Sequence, residues 1–268
     1  MTTLDTGTEE LLCNIKNRVA TITLNKPHKK NALGDILTPA LRETLLVVEA
    51  RDDVGCVMIT GTGNAFCSGG DVSGMSSATG SPRNREEKVA ELTERQMTLT
   101  GRLYHLNKPT VAALPGAAAG AGLSLALACD LRVASESAFV TTAFANIGLS
   151  GDYGSSWFLP RIVGLAKAKE LFYTAERLGA DVALELGLLN KVYPDASFRE
   201  DAFEFARTIA NGPTQALRLM KKNLNVSFEL HLPDALAQEA EHLVQCGEGD
   251  EAREAIQAFV DKRKPRFH

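Results

Sequence analysis

The sequence predicts an α/β fold assembled from repeated ββα units, and three observations carry that prediction. Residues 108 to 130, KPTVAALPGAAAGAGLSLALACD, pass from an apolar strand (Thr110 to Leu114) through Pro115-Gly116 and a patch almost bare of side chains into an apolar helical run, Leu123 to Ala128. Upstream, the apolar run Val54 to Thr60 leads into a second glycine turn, Phe66-Cys67-Ser68-Gly69-Gly70-Asp71. Strand-like and helix-like patterns then alternate through the body, whereas from Phe198 onward the spacing is helical throughout.

Taken in order, Leu12 to Ile15 and Val19 to Leu24 alternate apolar and polar residues around Asn17-Arg18, which predicts an N-terminal hairpin. Leu37, Leu41, Leu45 and Val48 then recur at helical spacing, and Pro39 fits that helix if Thr38 is its cap and Pro39 its first residue. Residues 73 to 88, rich in Ser, Gly and charge, read as a mobile loop, followed by a helix over Val89 to Leu106. This stretch between the two glycine turns is the natural place for a pocket wall, although a plain solvated connection fits it too. Beyond the central helix come short strands at Leu131 to Ala134 and Phe139 to Thr141, then a helix from about Ser155.

Composition narrows the function. A chain of 268 residues can bury a large core, and its net charge of −4, with no basic block interleaved with aromatics, argues against nucleic acid. The five cysteines, at 13, 56, 67, 129 and 246, form no CxxC and no pairing pattern, as expected of reduced thiols in a cytoplasmic protein. No apolar run approaches the ~18 residues of a membrane span, so neither an anchor nor a signal peptide is expected.

The bare turns carry the chemistry. At a helix entrance stripped of side chains, the first N–H groups lack partners within the helix and carry the positive end of its dipole. Two such turns could each direct one N–H at the same carbonyl oxygen and stabilise an oxyanion. The same patches would also suit a phosphate-binding turn or tight helix packing. The GTG at 61 to 63 begins a dinucleotide fingerprint, but Phe66 stands where its third glycine belongs.

Several segments extend the pattern: TLNKPHKKNAL at 23 to 33, IGLSGDYGSSWFLPRIVG at 147 to 164, GADVALELGLLNKVYP at 179 to 194 and AFVDKRKPRF at 258 to 267. Together with FCSGGD and PGAAAGAGLSLALACD, and in this order and spacing, they resemble the crotonase (enoyl-CoA hydratase/isomerase) superfamily over nearly the whole chain. The resemblance implies a crotonase-type spiral of ββα repeats over residues 1–197 and an all-helical trimerisation part over 198–268. It also implies a homotrimer or a hexamer of two trimers. Acyl-CoA thioesters are the implied substrates, with no cofactor beyond the coenzyme A of the substrate, no nucleic acid and no membrane.

By the same resemblance, Gly70 and Ala121 supply the N–H groups facing the thioester oxygen. Lys29, Lys30, Cys67, Ser68, Phe144 and Tyr153 fall at substrate-contacting positions, and Lys262 at one that in relatives reaches coenzyme A from a neighbouring subunit. Hydratases of the superfamily use two glutamates, whose positions hold Ser124 and Phe144 here. Neither residue can do acid–base work near neutral pH. A carboxylate instead stands at Asp152, as in isomerases similar to the phenylacetate-pathway epoxide isomerase and in aryl-CoA dehalogenases. The histidine and tryptophan that assist the dehalogenases are replaced by Met97 and Phe144. Asp152 therefore reads as a lone proton shuttle, or else as a helix cap. The expected function is an enoyl-CoA isomerase moving a double bond between Δ3 and Δ2; the alternatives are an enoyl-CoA hydratase and a silent acyl-CoA binding protein.

Overall fold

In the computed structural model, residues 1–71 and 84–268 are described, so most of the loop expected at 73 to 88 lies outside them. β1 (Thr2–Leu4) and the hairpin of β2 (Leu11–Lys16) and β3 (Val19–Leu24) open the chain. Asn17 and Arg18, with φ of 49° and 66°, form the two-residue left-handed turn that matches the twist of an antiparallel pair. Next, α1 (Leu37–Glu49) buries Leu37, Leu41, Leu45 and Val48 along one stripe, as the spacing predicts. It starts two residues earlier than expected: Ile36 is the cap, and Pro39 sits within the first turn. The N–H groups there have no helical partner, so proline costs nothing at that position.

From this point the chain winds as a spiral in which each turn gives one strand to a large sheet, one to a small sheet, and then a helix. The first such turn is β4 (Cys56–Gly61), β5 (Ala65–Cys67) and the helical run α2 (Arg85–Gln96), a π turn over Met97–Gly101, and α3 (Arg102–His105). Asn84 caps α2 in a capping box with Glu87, which starts the helix before the expected Val89. The second is β6 (Thr110–Leu114), β7 (Ala117–Ala119) and α4 (Ala121–Leu127). The third is β8 (Leu131–Ser135), β9 (Phe139–Thr141), α5 (Ser155–Val163) and α6 (Leu165–Thr174), and β10 (Leu178–Gly179), α7 (Ala180–Glu185) and β11 (Lys191–Tyr193) complete the body.

The seven-stranded sheet has the order β1-β2-β3-β4-β6-β8-β11, parallel from β3 onward, and the four-stranded sheet runs β10-β9-β7-β5. Every residue of β4 and β6 is buried, as parallel strands covered on both faces require. The bare patch after Pro115 is thus not simply a turn: Ala117–Ala119 is a strand between β5 and β9, where methyl-sized side chains let its neighbours approach.

α8 (Phe198–Ala210) covers the outer face of the large sheet, packing Phe198, Ala202, Ala206 and Ala210 on Cys56, Met58, Val111 and Val133. The first helix after residue 197 is thus packed on the same sheet as the strands before it. Arg18 reinforces the junction by donating to the Ala210 carbonyl at 3.2 Å and to Thr214 Oγ1 at 3.3 Å. α9 (Thr214–Val226), α10 (Leu232–Gly247) and α11 (Asp250–Val260) follow. α10 has no buried residue, and Leu232, Leu243 and Phe259 are 71, 74 and 85% exposed. No helix among the described residues is long and apolar enough to cross a membrane.

One close approach ties the spiral together. Gly122, in the first turn of α4, lies against the end of β5, where an added Cβ would overlap the Cys67 carbonyl. Gly122→Ala should destabilise the protein by about 2 kcal/mol through overpacking. The measurement is a lowered urea midpoint at unchanged m value.

Candidate active site

The first glycine turn is held in shape from behind by the segment 26 to 33. Asn31, fully buried, donates from Nδ2 to the carbonyls of Thr62 (3.0 Å) and Ala65 (2.8 Å), while its Oδ1 accepts from the Lys26 N–H (2.9 Å). The N–H and hydroxyl of Ser68 donate to the Lys30 and Lys29 carbonyls at 3.0 and 3.2 Å. Leu33 bridges the turn, donating to the Gly69 carbonyl (2.8 Å) and accepting from the Asp71 N–H (2.7 Å). That bridge turns the Gly70 N–H outward, without an acceptor among the described residues, on an exposed residue.

The second donor stands beside the first. Gly69, at φ +105°, could not carry a side chain without crowding the Ala119 carbonyl at 3.1 Å, and the Ala121 nitrogen lies 3.7 Å from the same point. Ala121 is the first residue of α4, so its N–H has no intrahelical acceptor. Two main-chain donors from different turns of the spiral are in this way brought side by side, as an oxyanion site requires.

Phe144, in a short 3-10 turn over Phe144–Ile147, closes one side of the site. Its ring is 3.7 Å from the Cβ position of Gly120 and 3.7 Å from that of Gly151, so a single phenyl ring separates the second donor turn from the loop carrying Asp152. Phe172 stacks on it with ring centres 6.1 Å apart. The Ser124 hydroxyl, also buried, donates back to the Gly120 carbonyl at 3.2 Å. Ser124 and Phe144, the two positions that the resemblance matches to acid–base glutamates, thus hold a hydroxyl committed to the backbone and an apolar wall.

Asp152 is not a helix cap. Gly154 caps α5 without any side-chain bond, and the bonds to Asp152 go to its carbonyl oxygen, from the Ser155 N–H (3.2 Å) and hydroxyl (3.1 Å). Its carboxylate Oδ1 is shut off from solvent and has no hydrogen-bond partner among the described residues. Burial pushes its pKa up from 3.8 to about 6. The carboxyl therefore changes charge near neutrality, where an acid–base group works best.

The other expected residues divide. Lys29 Nζ pairs with Asp71 at 2.7 Å, and Lys26 Nζ with both Asp71 and Glu10 at 3.4 Å, so the two lysines beside the first turn are balanced by two carboxylates. Lys30 and Ser68 are exposed at the same turn, and Tyr153 is half-buried beside Asp152. Cys67 faces the interior: it is fully buried, its thiol approaches the Gly69 carbonyl at 3.7 Å, and burial raises its pKa to about 12, so it is a packing residue. Lys262 lies on the exposed turn that ends α11, where its N–H donates to the Phe259 carbonyl at 3.2 Å, away from this group. Trp157 packs edge-on against Tyr104, with centroids 5.1 Å apart, in a separate apolar cavity of about 480 Å3 that none of Gly70, Ala121 and Asp152 lines. Sequence reasoning passed over Asn31, although the run KKNAL marked its segment, and it passed over Asp71 as a partner for Lys29.

Residues 14–268 match the family model described as enoyl-CoA hydratase/isomerase. The chain belongs to this family. It is 35% identical over 260 residues to the 1,2-epoxyphenylacetyl-CoA isomerase of Escherichia coli K12, covering 97% of this chain and 98% of that one. It is 31% identical to the short-chain-enoyl-CoA hydratase of Clostridium acetobutylicum, over 93% of this chain and 94% of the relative. An enoyl-CoA hydratase structure from Polaromonas sp. JS666 superimposes with a TM-score of 0.89 at 33% identity, covering 96% of this chain and 99% of that chain. The two-sheet spiral is accordingly the crotonase fold, and the protein is an acyl-CoA enzyme of the hydratase/isomerase family.

Placing a carboxyl in the dry wall of the site has a measurable cost. Because its folded pKa is raised, Asp152 is penalised as pH climbs from 3.8 and fully so above about 6. Asp152→Asn should therefore raise Tm near pH 8, with the gain vanishing near pH 4; thermal scans across that range read the effect.

Proposed function

We propose that the protein shifts the double bond of an enoyl-CoA between Δ3 and Δ2, with Asp152 as the single acid and base. The observation that carries the reading is the buried, unbonded Oδ1 of Asp152, raised to about 6, in a site whose two alternative acid–base positions are Ser124 and Phe144. In the forward direction the Asp152 carboxylate removes a proton from C2 of a 3-enoyl thioester. The electron pair of that C–H bond moves into a dienolate, whose negative charge gathers on the thioester oxygen opposite the Gly70 and Ala121 N–H groups. The protonated Asp152 then gives the same proton to C4, yielding the 2-enoyl thioester with no net change in atoms or charge. No metal, nucleotide or external cofactor is called for.

In this reading Lys30, exposed beside the first turn, meets the anionic part of coenzyme A together with Lys29, which would exchange Asp71 for it, and Tyr153 and Phe144 wall the acyl group. The apolar residues exposed on α10 and α11 support assembly into a homotrimer, alone or paired as a hexamer, with Lys262 serving a neighbouring site. A second reading, hydration of an unusual enoyl-CoA with Asp152 handling a substrate-held water, is favoured by the hydratase names among the relatives.

With a 3-enoyl-CoA as substrate, Asp152→Asn should lose about 10²- to 10⁴-fold in kcat, the usual contribution of a positioned acid–base group. The wild-type kcat/KM should rise with pH and level off above about 6, because the carboxylate form is the base. Full turnover by Asp152→Asn would remove that residue from the chemistry. Running the reaction in 18O-labelled water separates the two readings: an unlabelled 2-enoyl product supports isomerisation, and a labelled 3-hydroxyacyl product supports hydration. Tight binding with neither product would make the chain a silent acyl-CoA binder.

A further inference from the structure

The loop bearing Asp152 is conformationally unfavourable. Gly151, Tyr153 and Gly154 all have positive φ, of 106°, 49° and 80°, and a tyrosine in the left-handed region persists only where its surroundings hold it there. What holds it comes from another turn of the spiral. Gln96, the last residue of α2, accepts a hydrogen bond from the Tyr153 N–H on its Oε1 at 2.6 Å, across 57 residues of sequence. Gln96 immediately precedes the π turn Met97–Gly101, a rare distortion that shifts the direction of side chains on either side of it and recurs at functional sites. The Thr100 hydroxyl donates to the Gln96 carbonyl at 3.2 Å, fixing the same residue from within the turn.

We infer that Gln96 is a positioning residue for Asp152: its amide oxygen locks the Tyr153 peptide and thereby keeps the carboxylate aimed into the site. The inference rests on the proposed role of Asp152 and adds the part that holds it. The Asp152 carbonyl is anchored by Ser155 and the Tyr153 N–H of the same peptide unit by Gln96, so that peptide is tied at both of its polar atoms. The Asp152 Cα is attached directly to it, which orients the carboxyl without a bond of its own. The charged groups that face this loop are Arg42 from α1 and Arg95 from α2, both acting on Tyr153, and Arg42 also donates to the Arg95 carbonyl at 3.1 Å. They belong to the same support and do not replace the lost acceptor.

The test compares Gln96→Met, which keeps the length and removes the acceptor, with Gln96→Glu, which keeps the acceptor and adds a negative charge. Two readouts are taken on the full-length protein: the titration of Asp152 by NMR with 13C-labelled aspartate, and kcat and KM on a 3-enoyl-CoA across pH. In Gln96→Met the Asp152 titration should fall towards the ordinary carboxyl range as the loop relaxes into water. Its kcat should drop about tenfold, in line with the cost of misplacing a catalytic group, at nearly constant KM. Gln96→Glu should restore most of kcat and move the titration upward through like-charge repulsion. An Asp152 titration unchanged in both variants would overturn the inference, as would equal loss of Tm and kcat in both. A shifted titration with undiminished turnover would keep Gln96 as the positioning residue and sink the catalytic role of Asp152 instead, so the two failures are told apart.

Discussion

The site depends on one steric contact, the seating of the first turn of α4 on the carbonyl of Cys67 at the end of β5. Gly122 makes that approach possible because nothing but hydrogen projects from it. Once α4 is seated, the Ala121 N–H comes up beside Gly69, and the parallel pairing of β5 with β7 fixes the two turns in register. Asn31 completes the frame by donating to the carbonyls of Thr62 and Ala65 from a fully buried side chain. The donors are therefore rigid before any substrate arrives, and such preorganisation is what makes main-chain N–H groups effective against a developing charge.

Against this rigid half stands a half that is held under tension. Asp152 lies on a left-handed loop with one carboxylate oxygen dry and unbonded, an arrangement that lowers stability above the pH at which the group ionises. In the proposed reaction, stability given up at this one residue would be returned as a proton acceptor of suitable strength. The Phe144 ring stands between the two halves, against Gly151 of the Asp152 loop on one side and Gly120 of the second donor turn on the other.

Much of this could be read from the residues. The N-terminal hairpin, the strand–turn–helix of the central segment and the helical tail follow from local chemistry: left-handed Asn17-Arg18, bare glycine turns and period-3.6 apolar spacing. That Gly70, Ala121 and Asp152 form one site is an expectation of the family resemblance, and the local alternative for Asp152, a helix cap, is decided by the geometry of Gly154 and Ser155. What stayed hidden is what acts over long sequence distances. Ala117–Ala119 has no strand-like pattern, and it is a strand because β5 and β9 flank it. α8 reads like any other amphipathic helix, and only its packing on Met58 and Val111 ties it to the large sheet. The Gln96 bond to Tyr153 left no local signal at all, since its partner lies on a different turn of the spiral.

The parallel pairing of β5 with β7 also has a kinetic side. Ala65 and Ala117 meet only after the chain between them has been gathered in, and closing so long a loop is entropically costly until many other contacts repay it. The Gly70 and Ala121 N–H groups therefore come side by side only once β5 and β7 have paired, so their juxtaposition belongs to the assembled spiral and to neither segment alone.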